Sequence, residues 1–113
     1  MDLSIGMVTI DCSDPQSLAE FWTAALGVAV AGDYGGFVLL AGAPALGLQK
    51  VPEPQTGKNR VHLDLYTEDR AAEVTRLTGL GASVLAECNA PGLRWTVLAD
   101  PEGNEFCVCR HHG

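Results

Sequence analysis

The chain has 113 residues, 47% of them hydrophobic and 19% charged, which suits one small domain with a single core and excludes both two independent domains and a largely disordered chain. Seven Lys plus Arg against fourteen Asp plus Glu leave a net charge of -7, which repels phosphate backbones and anionic lipid and argues against nucleic acid or a membrane as partner. No apolar run reaches the roughly 20 residues of a membrane span, and the start MDLSIGMVT lacks the basic and apolar regions of a secretory signal, so a cytoplasmic protein is expected.

The first segment, MVTIDC (7 to 12), alternates and is rich in β-branched residues, as a strand would be. A helix follows, with Asp14 or Ser13 as cap, Pro15 at its first position and Gly27 as its stop. Leu18, Phe21, Trp22, Ala25 and Leu26 fall at the spacing of one apolar helical face. Three short segments at 28 to 33, 36 to 41 and 45 to 51, parted by Gly and Pro turns, read as an antiparallel meander.

The polar, breaker-rich stretch PEPQTGKN (52 to 59) reads as a linker, after which the order begins again. RVHLDLY (60 to 66) is a strand, a helix runs from about Glu68 to Leu80, and strands are expected at 82 to 88, 93 to 100 and 104 to 109. Ile10-Asp11 matches Leu63-Asp64, Ala19-Glu20 matches Ala72-Glu73, and Leu26-Gly27 matches Leu80-Gly81, which together point to an internal βαβββ repeat. The expected organisation is one domain over 1 to 113, with module one at about 5 to 51, the linker at about 52 to 59 and module two at about 60 to 109.

Strand alternation assigns the faces. Val8, Ile10 and Cys12, with Val61, Leu63 and Leu65, would pack under the helices, as would Leu48, Phe106 and Val108. Met7, Thr9 and Asp11, with His62, Asp64 and Tyr66, would occupy the opposite, concave face, together with Gln49, Glu105, Cys107 and Cys109. Trp95, assisted by Tyr66 and Phe37, would supply an aromatic wall suited to a flat or cationic ligand. Cys12, Cys88, Cys107 and Cys109 lack zinc-finger spacing and are expected as thiols in a reducing compartment, while His111 and His112 lie in a tail expected to be disordered.

With the paired modules, the helix ending LAEFWTAALG, the strand HLDL and the terminal DPEGNEF, the sequence resembles the glyoxalase, bleomycin-resistance and extradiol-dioxygenase superfamily, also called the vicinal oxygen chelate superfamily. The likeness spans about Met7 to Cys109 and is strongest to the short glyoxalase-like proteins of one domain per chain. The resemblance implies an α+β fold in which two βαβββ modules build an eight-stranded cup-shaped mixed sheet with helices outside, often completed in a homodimer. It also implies a divalent metal in the enzymes, held by His, Gln or Glu from the first and last strands of each module.

Carried over, those positions fall on Met7 or Thr9, on Gln49, on His62 and, seven residues after Asp100, on Cys107. Only His62 is a strong ligand match, since Gln49 is an uncharged amide and a Cys107 thiolate favours zinc or softer ions over magnesium, manganese or calcium. The reading is therefore a glyoxalase-like protein that binds a small organic molecule, as an antibiotic or metabolite sequestering protein would, with no metal favoured. The binding residues expected are Met7, Thr9, Asp11, Gln49, Asp64, Tyr66, Trp95 and Cys107, with His62 as the catalytic candidate if there is catalysis. The alternative is a metal-dependent lyase, isomerase or dioxygenase of that superfamily, using His62, Gln49 and Cys107 around zinc or iron.

Overall fold

A computed structural model describes residues 2–54 and 56–110. The chain divides into two compact units, one running to Pro54 and one beyond it. Each has the order strand, helix, three strands, so the protein is α+β and built of two βαβββ modules.

In the first unit, β1 (Met7–Cys12) is followed by α1 (Pro15–Leu26), β2 (Val30–Asp33), β3 (Phe37–Leu40) and β4 (Ala45–Lys50). The meander β2-β3-β4 is antiparallel, and β1 joins it in parallel beside β4, giving the order β1-β4-β3-β2. Of the two candidate caps of α1 it is Asp14 whose carboxylate accepts the Ser17 N–H, at 3.1 Å. Gly27 ends the helix at φ 67°, in the left-handed region open to glycine. The apolar stripe lies inward: Leu18, Ala19, Phe21 and Trp22 are buried, with the Phe21 and Trp22 rings edge to face at 5.1 Å. Under them lie the buried Cys12, Val38, Leu40, Leu46 and Leu48. Leu26, expected on this stripe, sits at the helix end and is 40% exposed.

The second unit repeats the plan with β5 (Leu63–Thr67), α2 (Arg70–Leu80), β6 (Ser83–Ala90), β7 (Leu93–Ala99) and β8 (Glu105–Arg110). Its sheet has the order β5-β8-β7-β6, with β5 and β8 parallel. The helix begins two residues later than its composition predicts, because Asp69 serves as cap: its carboxylate accepts the Ala72 N–H at 3.0 Å. Leu98, Phe106 and Val108 form the buried floor, but α2 contributes only one fully buried side chain, Leu77. A polar tie supplements that thin apolar face: the Arg70 guanidinium donates to Glu87 at 2.8 Å and to the buried Thr96 hydroxyl at 2.6 Å. The repeat extends to an irregularity, since β2 and β6 each carry a register shift early in the strand, between Val30 and Gly32 and between Val84 and Ala86.

Burial alternates along β1 and β5 as the sequence predicts, with Val8, Ile10 and Cys12, then Leu63 and Leu65, on the covered side. Val61 departs from it. That residue precedes β5, outside the ladder that would press its side chain under α2, and it is 76% exposed. His111 and His112 lie outside the described residues.

Candidate functional site

The sheet registers show how the two modules correspond residue by residue. In the first, Asp11 of β1 stands opposite Gln49 of β4; in the second, Asp64 of β5 stands opposite Cys107 of β8. The repeat-related aspartates thus each neighbour the last-strand position of their own module, and the residue two before each, on the same face, is Thr9 in one case and His62 in the other. Thr9, rather than Met7, is accordingly the counterpart of His62.

The second unit holds the denser chemistry. His62 Nε2 lies 3.3 Å from Asp64 Oδ1, so the two residues of the HxD pair do meet, although two positions apart on a strand they need not. Cys107 stands directly across the β5/β8 ladder from the same Asp64. The ligand atoms of His62, Asp64 and Cys107 all lie within 4.8 Å of one another. Cys107 is 7% exposed, while the side chains of His62 and Asp64 remain 38% and 49% exposed, so the cluster has a buried sulfur base and an open imidazole and carboxylate. Burial first, then the Asp64 charge and the neighbouring Cys109, push the Cys107 thiol up to about 11. Burial and Asp64 also raise Cys109. Neither thiol is a nucleophile at neutral pH by itself.

Main-chain pairing continues the site along one face. Cys109 lies between Tyr66 on one side and Trp95 on the other, and Val97 is the β7 partner of Cys107. Tyr66 is 59% exposed and Trp95 half-buried, so an aromatic row runs next to the polar cluster. Trp22, 1% exposed, belongs to the core.

His62 itself precedes β5 and needs another anchor. The Asn59 side chain supplies it: its oxygen accepts the Glu105 N–H at 2.9 Å, and its NH2 donates to the Glu105 carbonyl at 3.3 Å and to the Val61 carbonyl. One amide thus takes the place of a strand residue opposite Glu105 and fixes the segment leading into His62. Lys58 reinforces it through an ion pair with the Glu105 carboxylate at 3.4 Å.

The first unit presents a different surface. Its open face carries Met7, Thr9, Asp11 and Gln49, where the Gln49 NH2 donates weakly, at 3.5 Å, to the Lys50 carbonyl. It also carries aromatic groups lying over glycines: a Cβ on Gly47 would stand 2.8 Å from the Phe37 ring and 3.0 Å from Met7 Sδ, and one on Gly32 would stand 2.6 Å from the Tyr34 hydroxyl. Tyr34 and Phe37 are stacked, with centroids 6.4 Å apart. Sequence reasoning passed over Tyr34, Gly32 and Gly47; the signal was a pair of glycines inside strands, which marks a close approach by other groups.

A hard divalent ion does not fit the donors on the family positions. Magnesium and calcium take six or more oxygens, several of them carboxylate, whereas Thr9, Gln49, His62 and Cys107 offer hydroxyl, amide, imidazole and thiol. The Asp64 carboxylate beside His62 and Cys107 changes the set to nitrogen, oxygen and sulfur, which suits zinc and related ions.

Residues 7–109 match the family model described as Glyoxalase-like domain. Among solved structures, a glyoxalase/bleomycin resistance protein/dioxygenase family enzyme from Burkholderia phytofirmans PsJN superposes with a TM-score of 0.82 at 18% identity, covering 96% of this chain and 98% of that one. A lactoylglutathione lyase from Agrobacterium tumefaciens gives a TM-score of 0.72 at 21% identity, covering 95% of this chain and 92% of that one. A possible glyoxalase from Bacillus cereus gives 0.75 at 20% identity, covering 95% and 98%. Likeness at these identities shows a common fold. A comparison with curated proteins gave no match.

Proposed function

The chain belongs to the glyoxalase-like domain family, and we propose on that footing that it binds a small organic molecule on the open sheet face of its second module. The observation that carries this reading is the row Tyr66, Cys109, Trp95 beside the cluster His62, Asp64, Cys107: a largely apolar platform with a few convergent polar groups. Tyr66 and Trp95 would stack against a flat or cationic ligand, and His62 and Asp64 would orient its polar groups. On the first module, Met7, Thr9, Asp11 and Gln49 with Tyr34 and Phe37 form a second surface of this kind. We place the protein in the cytoplasm as a homodimer, sequestering an antibiotic or metabolite; among the described residues no helix is long and apolar enough to cross a membrane.

Because Trp22 is buried and Trp95 is not, ligand binding reads out at one tryptophan. A panel of planar and cationic small molecules is expected to contain members that raise the melting temperature and quench Trp95 emission, both effects being lost in Trp95→Ala. If no compound does so and the freshly purified protein has the native mass of the bare chain, the binding reading fails. The same mass measurement reports the number of subunits.

The second reading is an enzyme of the superfamily, a lyase, isomerase or dioxygenase using His62, Gln49 and Cys107 with zinc or iron. What favours it is the convergence of His62, Asp64 and Cys107. A bound ion would supply Lewis-acid polarisation of a substrate oxygen, and His62 would hold or pass a proton beside it. Turnover that requires added metal and disappears in His62→Ala would establish this reading over sequestration.

A further inference from the structure

We propose that Arg94 and Arg110, facing each other across β7 and β8 on the helix side of the second module, form a binding site for one small phosphate dianion, free or carried as a phosphate monoester. The site lies on the opposite face of the sheet from the aromatic row and goes beyond the small-molecule binding proposed there.

Trp95 pairs with Cys109 in the antiparallel β7/β8 ladder, and continuing that register by one residue sets Arg94 opposite Arg110. Their outer neighbours are Asn89 of β6, paired with Arg94, and Thr67 of β5, paired with Arg110. One row across all four strands therefore reads Thr67, Arg110, Arg94, Asn89, each residue able to donate a hydrogen bond. Thr96 and Val108, two places away on the same face, are buried, and Arg70 at the start of α2 already reaches the Thr96 hydroxyl at 2.6 Å. The next row thus lies past the helix, and both of its arginines are exposed.

Like charges directly opposite each other on a sheet repel. This pair stands in a chain with only seven Lys plus Arg against fourteen Asp plus Glu, yet among the described residues neither arginine has an ion-pair partner. The acids at this end are otherwise engaged: Glu87 accepts from Arg70 at 2.8 Å, and Asp69 caps α2 through the Ala72 N–H. Glu68, exposed in the bend before α2, is the exception, and its charge opposes an anion. Two guanidinium forks meeting from neighbouring strands match a tetrahedral dianion in charge and in number of acceptors, whereas a single fork satisfies a carboxylate. The net charge of -7 repels polyanions, so the occupant is a small molecule and not nucleic acid. The α2 N-terminus is already capped by Asp69 and is not counted in the site.

Arg94 precedes Trp95 and Arg110 follows Cys109, so the site shares its main chain with the aromatic row on the other face. An anion gripped by both arginines replaces a repulsion between two strand ends with a bridge, and Trp95, one residue away, reports it.

The test uses the full chain in phosphate-free, low-salt buffer, titrated with inorganic phosphate, with glycerol phosphate as a monoester, and with sodium chloride at matched ionic strength. Both phosphates should raise the melting temperature and shift Trp95 emission saturably, beyond the effect of chloride. Tighter binding of glycerol phosphate assigns the site to a monoester, and tighter binding of inorganic phosphate assigns it to the free ion. Arg94→Gln and Arg110→Gln should each weaken binding at least about tenfold. In phosphate-free buffer the same variants should melt above the parent, by roughly 1 to 5 °C, because the repulsion is gone, so their loss of binding is not a loss of fold. Glu68→Gln should tighten binding, and Trp95→Ala should keep the phosphate-dependent rise in melting temperature. An equal rise with chloride, undiminished binding in Arg94→Gln and Arg110→Gln, or melting of both variants below the parent in phosphate-free buffer would each overturn the site.

Discussion

Asn59→Ala removes the amide that stands in for a strand residue opposite Glu105. The variant loses the bonds to both the N–H and the carbonyl of Glu105, at 2.9 Å and 3.3 Å, in a partly buried setting. A net hydrogen bond contributes about 0.5 to 1.5 kcal/mol, and more when the stranded partner stays out of water, so the expected cost is about 2 to 3 kcal/mol. For a protein of this size, that lowers the melting temperature by roughly 8 to 15 °C. Asn59→Asp keeps the acceptor for the Glu105 N–H but turns an oxygen toward the carbonyl, and its melting point should fall as far or farther. Thermal unfolding by circular dichroism gives the size of the loss, and hydrogen exchange locates it: the Glu105 amide should exchange faster, while amides of β2 and β3 lose only the globally lowered protection. A melting temperature within about 2 °C of the parent, with an unchanged Glu105 amide, would refute the assigned role of Asn59.

In the metal-free reduced protein, Cys107 should alkylate about a hundredfold more slowly at pH 8 than a thiol at the ordinary 9.0, since its own titration is raised to about 11; peptide mapping after iodoacetamide measures this, and Asp64→Asn should speed it. Because that thiol is raised on folding, its stabilising contribution is intact below pH 9.0 and lost as pH climbs toward about 11, so urea midpoints should fall across that interval. Asp33 accepts the Gly35 N–H and a Gln16 NH2, in that order of effect, which holds its carboxyl below 3.8; its carbon-13 titration should show the lower midpoint, and the tie should weaken only as pH falls through it. Gly47→Val would drive its side chain into the Phe37 ring and Met7 Sδ, at 2.8 and 3.0 Å from the first added carbon, and should destabilise by about 1 to 3 kcal/mol in chemical denaturation, with Gly47→Ala milder.

The elements were legible because period and punctuation agree. MVTIDC alternates where β1 stands, and Asp14, Pro15 and Gly27 bound α1 as caps and stops should. Burial alternates with the expected faces along β1 and β5, whereas Val61, outside the ladder, is exposed, and Cys107 and Cys109, assigned to the concave face, are buried in β8 between two neighbouring strands. What alternation does not contain is distance. It places His62 and Asp64 on one face without saying that they touch, and it does not say that Cys107 stands opposite Asp64, since that follows from the β5/β8 register set by main-chain pairing across more than 40 residues. Asn59 was hidden for a related reason: in a polar linker an asparagine reads as a turn former, and only the position of Glu105 shows it acting as a strand.

The registers also explain how two copies of one scaffold come to carry unlike chemistry. The main chain fixes three positions per module: a residue on the face, the aspartate two places on, and the last-strand residue opposite that aspartate. In the first module those positions hold Thr9, Asp11 and Gln49, and the surface is dominated instead by Tyr34 and Phe37 lying where Gly32 and Gly47 leave room. In the second they hold His62, Asp64 and Cys107, all of them able to donate to a metal. The lattice depends on backbone pairing and on the covered faces of the strands, so substitutions on the open face change a module's chemistry without disturbing its fold. Exchanging Thr9 for His and Gln49 for Cys in the first module would then reproduce the second module's donor set around Asp11. Retention by that double variant of the parent's far-ultraviolet circular dichroism and cooperative thermal unfolding is the outcome that this independence of face and fold requires.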